Sequence, residues 1–215
     1  MILSSFAGKE AAGAALAERV ADMLAQAIAE RGAAALAVPG GRSPLPFFDD
    51  LFARPLAWER VWLTLTDDRW VDPASPDSNQ GLVLRHRRGN ARFLGLVTDA
   101  ATPAEGLPEV EARLTALPPS FDAVVLGLGD DGHVASLFPG QPLDGPGACL
   151  AGVAPVAPQA RISLGLSRLL ATRALFLLFG GRHRLDLVSA PRPNLPVSAV
   201  LERATVPVEV FHYAD

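Results

Sequence analysis

A single cysteine, Cys149, stands among 215 residues. One thiol excludes an intramolecular disulfide, a CxxC redox pair and a zinc site built from several cysteines. It fits a reducing compartment, and a cytoplasmic location is expected. Lysine is equally scarce: Lys9 is the only one among the 19 lysines and arginines, and it precedes a helical pattern at the N-terminal edge. Schiff-base chemistry needs a desolvated lysine amine in a pocket, so lysine-dependent aldol and pyridoxal-phosphate chemistry are not expected. A cationic site for phosphate has to be built from arginine, whose planar fork suits phosphate oxygens. The four histidines are scattered, with no HxxxH or His/Cys cluster, so no metal is expected. No apolar run reaches the length of a membrane span. No basic segment followed by an apolar run opens the chain, so no secretory signal is expected. The net charge of −4 gives no reason to expect nucleic acid. The short basic run Arg85-His86-Arg87-Arg88 reads as a solvated face, the alternative being a phosphate-attracting patch.

What remains is an ordinary globular composition, 49% hydrophobic and 20% charged, in a chain long enough for one large core. Ala11 to Arg31 carries Leu16, Val20, Met23, Leu24 and Ile28 as one helical stripe ended by Gly32. Residues 33–38 read as a buried strand stopped by Pro39-Gly40-Gly41. Pro44 to Phe52 reads as a helix with Ser43 as N-cap and Pro44 at its first position. Val61 to Leu65 is a second strand, followed by a polar loop from Thr66 to Asn79. A helix over Leu107–Leu117 precedes the clearest strand, Phe121–Leu128 (FDAVVLGL). Asp144 to Gln159 reads as irregular and Leu164–Ala171 as a short helix. A strand at Leu175–Phe179, a helix at Arg182–Ala190 and a strand at Val206–Phe211 complete the pattern. Apolar strands alternating with helices predict one α/β domain over residues 1–215, with a mostly parallel sheet. Ligands of such sheets bind beyond the carboxyl ends of the strands, and unusual residues follow Val38, Leu65 and Leu128.

The first of these segments is Pro39-Gly40-Gly41-Arg42-Ser43-Pro44. Its two glycines allow close backbone approach before a helix N-terminus that favours an anion, although a plain tight turn has the same composition. The second is Thr66-Asp67-Asp68-Arg69 with Asp77-Ser78-Asn79. It reads either as a surface ion pair or as an arginine held by acids to bind phosphate or carboxylate. The third, Gly127-Leu128-Gly129-Asp130-Asp131-Gly132-His133, is the most specific. Glycines bring backbone amides towards a ligand, and a neutral imidazole is the usual general base near neutral pH. Histidines 86, 183 and 212 have no such setting.

LGLGDDGHVASLFPG resembles the signature of the 6-phosphogluconolactonase family, within the glucosamine-phosphate isomerase and lactonase superfamily. PGGRSP resembles its phosphate loop, TDDRWV with DSN its Asp-Glu-Arg and Ser-Asn segments, PQARISL its Arg-x-Ser/Thr-Leu segment, and PVSAV its Pro-x-Ser block. Asp68 stands where the family usually has glutamate, and Arg184 where a lysine is common. The resemblance implies a Rossmann-like fold, no organic cofactor and hydrolysis of 6-phosphogluconolactone in the oxidative pentose phosphate pathway. His133 is then the expected base, oriented by Asp131, with amides of Gly129 to Gly132 supporting the oxyanion. Gly40, Gly41, Arg42, Ser43, Asp67, Arg69, Asn79, Gly129, Gly132, Arg161 and Arg184 are the expected contacts to substrate. Arg161 and Arg184 rest on the resemblance alone. The expected partner is a phosphorylated sugar lactone, with no nucleic acid or membrane, acting on a monomer or small homo-oligomer. Two other readings are an amino-sugar-phosphate isomerase or deaminase of the same superfamily and a non-catalytic sugar-phosphate sensor. The Ala135-Ser136-Leu137-Phe138-Pro139 continuation favours the lactonase over the former. No helix-turn-helix segment precedes the fold to support the latter.

Overall fold

The computed structural model describes residues 1–87, 89–153 and 159–214. The first half of the chain holds β1 (Ile2–Phe6), α1 (Lys9–Arg31), β2 (Ala34–Val38), α2 (Leu45–Phe52), β3 (Val61–Leu65), β4 (Asp67–Arg69), α3 (Asn79–His86), β5 (Arg92–Leu94) and α4 (Pro103–Leu114). The second half holds β6 (Ala123–Leu126), β7 (Cys149–Val153), β8 (Ala160–Leu164), α5 (Leu166–Leu170), β9 (Leu175–Gly180), α6 (Arg182–Ser189), α7 (Pro196–Arg203) and β10 (Val208–Tyr213). Seven strands form one sheet in the order β1-β10-β9-β6-β2-β3-β5. Every neighbouring pair in it is parallel. The expected mostly parallel α/β fold is therefore found.

The apolar runs explain the centre of this sheet. All residues of β2, β6 and β9 are buried, as in parallel strands covered on both faces. Helix α1 contacts β1, β10, β9, β6 and β2 through a stripe that includes Leu16, Val20, Leu24 and Ala27. It ends where Gly32, at φ 78°, donates its N–H to the Ile28 carbonyl. From β2 the chain steps outward to β3 and β5, then returns to β6 on the other side of β2. The loops after β2 and β6 thus leave in opposite directions and open a crevice between them.

Several elements differ from the sequence reading. Ser43 does not cap α2; Pro44 is the N-cap and Pro46 lies in the first turn. The polar loop from Thr66 contains β4, and its last residue, Asn79, begins α3. The stretch read as irregular contains β7, and the expected helix at Leu164 begins only after β8 ends there. Strands β4, β8 and β7 form a separate antiparallel sheet; part of the 144–159 stretch, residues 154–158, lies outside the described residues. In the basic run, Arg85 and His86 form the last turn of α3 and Arg87 donates to the Ala91 carbonyl. Arg88 lies outside the described residues. Among the described residues no helix is long and apolar enough to cross a membrane.

Candidate active site

A solvent-open cavity of about 190 Å³ occupies the crevice at the carboxyl ends of β2, β3 and β6. The β2 loop supplies Gly40, Gly41, Arg42 and Ser43. The small sheet and α3 supply Asp67, Arg69, Arg161 and Asn79. The β6 loop supplies Gly129 and His133. Ten of the expected residues therefore line one cavity. Asp131, Gly132 and Arg184 do not line it.

His133 is set by local geometry. Its Nδ1 lies 2.6 Å from Asp131 Oδ1, and its backbone N–H donates to the same oxygen at 3.1 Å. A carboxylate only accepts, so this contact places the ring proton on Nδ1 and leaves Nε2 as the acceptor. Partial burial acts to raise the Asp131 carboxyl, but the backbone and ring hydrogen bonds from His133 hold it below the ordinary carboxylate value. The ring lies against Phe138, with centroids 4.9 Å apart and planes tilted by 46°. Position 129 admits no side chain, because a Cβ there would come within 2.1 Å of His133 Cε1 and Nδ1. The following turn uses its own amides. Gly129 N–H donates to the His133 carbonyl at 2.9 Å and Gly132 N–H to the Gly129 carbonyl at 3.1 Å. Of the amides from Gly129 to Gly132 expected to support an oxyanion, those of Gly129 and Gly132 are engaged inside the turn.

Behind the turn stand α6 and α7. His183 Nε2 lies 2.8 Å from the Asp130 carbonyl, a contact between residues 53 positions apart that no local pattern foretells. Arg184 forms an ion pair with the exposed Asp130 carboxylate at 3.0 Å and donates to the Gly180 carbonyl. It is thus turned to the back of the loop. The Val197 N–H donates to the Gly132 carbonyl at 3.1 Å, which gives the PVSAV block a structural place.

The other end of the cavity is cationic. In the antiparallel β4–β8 pair Arg69 lies opposite Arg161. Arg69 Nη1 donates to Asn79 Oδ1 at 2.6 Å and to the Asp77 carbonyl at 3.1 Å. Burial, then the neighbouring charge of Arg69, lowers the pKa of Arg161 against the opposing pull of Asp67 and Asp68. Arg161 lies over the Phe138 ring at 5.9 Å and 4.0 Å from Asp67 Oδ2, and among the described residues its Nε has no hydrogen-bond partner. The buried Asp67 carboxylate takes hydrogen bonds from Ser136 Oγ at 2.6 Å and Thr66 Oγ1 at 3.2 Å. Asn79 Nδ2 donates to the Asp67 carbonyl, and Asn79 packs so closely on Gly40 that a Cβ there would meet Oδ1 at 1.7 Å. Gly41 adopts φ 88°, a region that glycine enters without steric cost.

Strand ends, a histidine held from behind by an aspartate, and opposed arginines thus meet at one cleft. The profile of the glucosamine-6-phosphate isomerase/6-phosphogluconolactonase family matches residues 7–208. The chain belongs to this family. A 6-phosphogluconolactonase of Mesorhizobium japonicum is 41% identical, over 97% of this chain and 93% of that protein. One of Pseudomonas aeruginosa is 40% identical, over 91% and 84%. The crystal structure of a 6-phosphogluconolactonase from Shewanella baltica superposes with a TM-score of 0.94 at 33% identity, covering 100% of this chain and 98% of that one.

Two residues with no role expected from sequence, Ser136 and Phe138, support the site. Ser136 holds Asp67, and Phe138 touches both His133 and Arg161. Their signal was position, within the glycine–histidine segment. Ala135, which lines the cavity, has φ 50°, a conformation uncommon for a residue with a Cβ. Among the described residues no group of three or more His, Cys, Asp or Glu is arranged to hold a metal. Cys149 is buried, which pushes its thiol up, away from thiolate chemistry.

Proposed function

We propose that this chain hydrolyses 6-phospho-D-glucono-1,5-lactone to 6-phosphogluconate, with His133 as general base. The observation that carries the assignment is that His133 and the opposed Arg69–Arg161 pair line the same cleft. The proposal gives each end one task. Arg69 and Arg161, with Asn79 and the Gly40–Ser43 loop, bind the phosphate. His133 Nε2 takes a proton from a water whose oxygen attacks the lactone carbonyl. Asp131 keeps the proton on Nδ1 and stabilises the imidazolium that forms. Collapse of the tetrahedral intermediate breaks the bond from the carbonyl carbon to the ring oxygen. The ring oxygen takes the proton from Nε2 and becomes a hydroxyl. The new carboxylic acid ionises, so one water is consumed and one proton released per turnover.

No step of this scheme draws on a metal or an organic cofactor. On this reading the reaction belongs to the oxidative pentose phosphate pathway, and the protein is a cytoplasmic enzyme of one domain over residues 1–215, working as a monomer or small homo-oligomer. Arg184 serves on this reading through the Asp130 contact. The direct test is to add the protein to freshly made 6-phosphogluconolactone and follow acid release. Release well above the spontaneous rate is expected, and release at the spontaneous rate would overturn the assignment.

A further inference from the structure

Asp68, in the middle of β4, is fully buried and does not line the cavity. Its carboxylate accepts three backbone N–H groups: Arg69 at 2.8 Å and Asn79 at 2.7 Å on Oδ1, and Gln80 at 2.9 Å on Oδ2. Two of these donors open α3 and have no partner inside that helix. A third free amide there, that of Gly81, is taken by the Ser78 hydroxyl. Asp68 therefore fastens β4 to the start of α3 across the intervening loop. Two of the three residues that it fastens, Arg69 and Asn79, line the cavity and carry part of the phosphate end. Asn79 binds the Arg69 guanidinium and backs Gly40, while the Arg69 amide is itself held by Asp68.

We infer that Asp68 is a positioning residue for the substrate phosphate, fixing the backbones of Arg69 and Asn79 so that the guanidinium, the amide side chain and the Gly40 loop converge, an inference that rests on the phosphorylated-lactone reading above. The carboxylate suits this task because it offers two oxygens to three donors and sits at a helix N-terminus, where negative charge is favoured. A neutral amide in its place presents an NH₂ group to at least one of those donors. Burial pushes the Asp68 carboxyl up to about 6, against the hydrogen bonds from Gln80, Asn79 and Arg69. Holding its charge at neutral pH therefore costs stability, and an uncharged side chain is expected to fold.

The test compares Asp68→Asn, Asp68→Ser and Asp68→Glu with the wild type in lactone hydrolysis and in calorimetric binding of inorganic phosphate. In the two neutral variants KM and the phosphate Kd should rise by about tenfold, the effect of losing one charge-assisted hydrogen bond. The value of kcat should stay within about threefold, because ground-state and transition-state binding of the phosphate weaken together. Asp68→Glu keeps the acceptor and should restore both constants to within about threefold of wild type. A fall in kcat at constant KM and constant phosphate Kd would overturn the inference, as would a glutamate variant as weak as asparagine. Failure of both neutral variants to fold beside an intact glutamate variant would make Asp68 a folding residue, which also overturns it. Absence of lactone hydrolysis by the wild type would instead defeat the functional reading on which the inference rests.

Discussion

Arg69 and Arg161 face one another as direct cross-strand partners in the antiparallel β4–β8 pair. Like charges in that relation are destabilising. Asn79 and Asp77 engage Arg69 through neutral oxygens, and Asp67 stands 4.0 Å from Arg161, so the pair is only partly compensated. A dianionic phosphate between the two guanidinium groups would relieve the repulsion. Inorganic phosphate should therefore raise the Tm of the wild type at fixed ionic strength, and Arg69→Gln or Arg161→Gln should remove most of that rise. Each variant should also raise KM for the phosphorylated lactone by roughly 10–100-fold, as expected for a lost charged hydrogen bond of about 1.5–3 kcal/mol. Thermal melts with phosphate against chloride, and steady-state kinetics, check both parts. An unchanged melt in phosphate would place the anion site elsewhere.

Gly129 offers a test of the cradle that does not remove a reacting group. A methyl at this position would overlap the His133 ring, which must then swing away from Asp131. Misplacing a reacting group by about 1 Å can cost about 10²-fold in rate. Gly129→Ala should therefore lower kcat by about that factor while phosphate still binds. A kcat close to wild type would show that the ring does not need its present seat.

The sheet was legible wherever burial on both faces left continuous apolar runs, as in β2, β6 and β9. β1 was not legible, because Ile2, Leu3, Ser4 and Ser5 are all exposed on an edge strand and show no alternation. Helix α3 hid in polar sequence, since its start is secured by Ser78 and by Asp68, eleven residues before Asn79, and a long-range acceptor leaves no local signature. Strands β7 and β8 hid for a related reason: their pairing partners are each other and β4, not neighbours in an apolar run. At the site, the glycine–histidine segment announced itself. Arg161 was recognisable only by resemblance and gains its physical reason from facing Arg69. The same resemblance makes Arg184 an expected substrate contact, whereas its partners among the described residues are Asp130 and Gly180.

Hydrolysis should need no divalent cation. The chain has one cysteine, that cysteine is buried, and the proposed proton transfers run through His133 alone. Activity after exhaustive treatment with a strong chelator should equal that of the untreated protein. A reproducible loss that one particular ion restores would require a metal in the mechanism.

Asp131 links the site to acid stability. Its carboxyl titrates lower in the folded chain than the ordinary value of 3.8, so between those two values the unfolded chain binds more protons. The stabilisation it contributes is thus complete above the unfolded value and is lost as pH falls through the folded one. Asp131 is largely exposed, so the effect is screened and small. Denaturant melts of Asp131→Asn should lie below wild type at neutral pH and converge with it in strong acid. A gap that widens on acidification would mean that the His133 contact does not favour the ionised carboxylate.

His133→Ala bears most directly on the chemistry. Among the described residues the imidazole is the one basic side chain that combines a cavity position, a carboxylate partner on Nδ1 and an Nε2 with no hydrogen-bond partner. A positioned acid–base group contributes about 10²–10⁴-fold, and kcat should fall by that range. KM should move less, because Arg69, Arg161 and Asn79 remain to hold the phosphate. His133→Asn keeps a polar side chain near Asp131 without a base at neutral pH, so it should be as slow as alanine. The lactone also opens spontaneously, and that rate must be subtracted at each substrate concentration, or the loss will be understated. Near-wild-type kcat in both corrected variants would assign activation of the water to another group and leave His133 as a packing partner of Phe138.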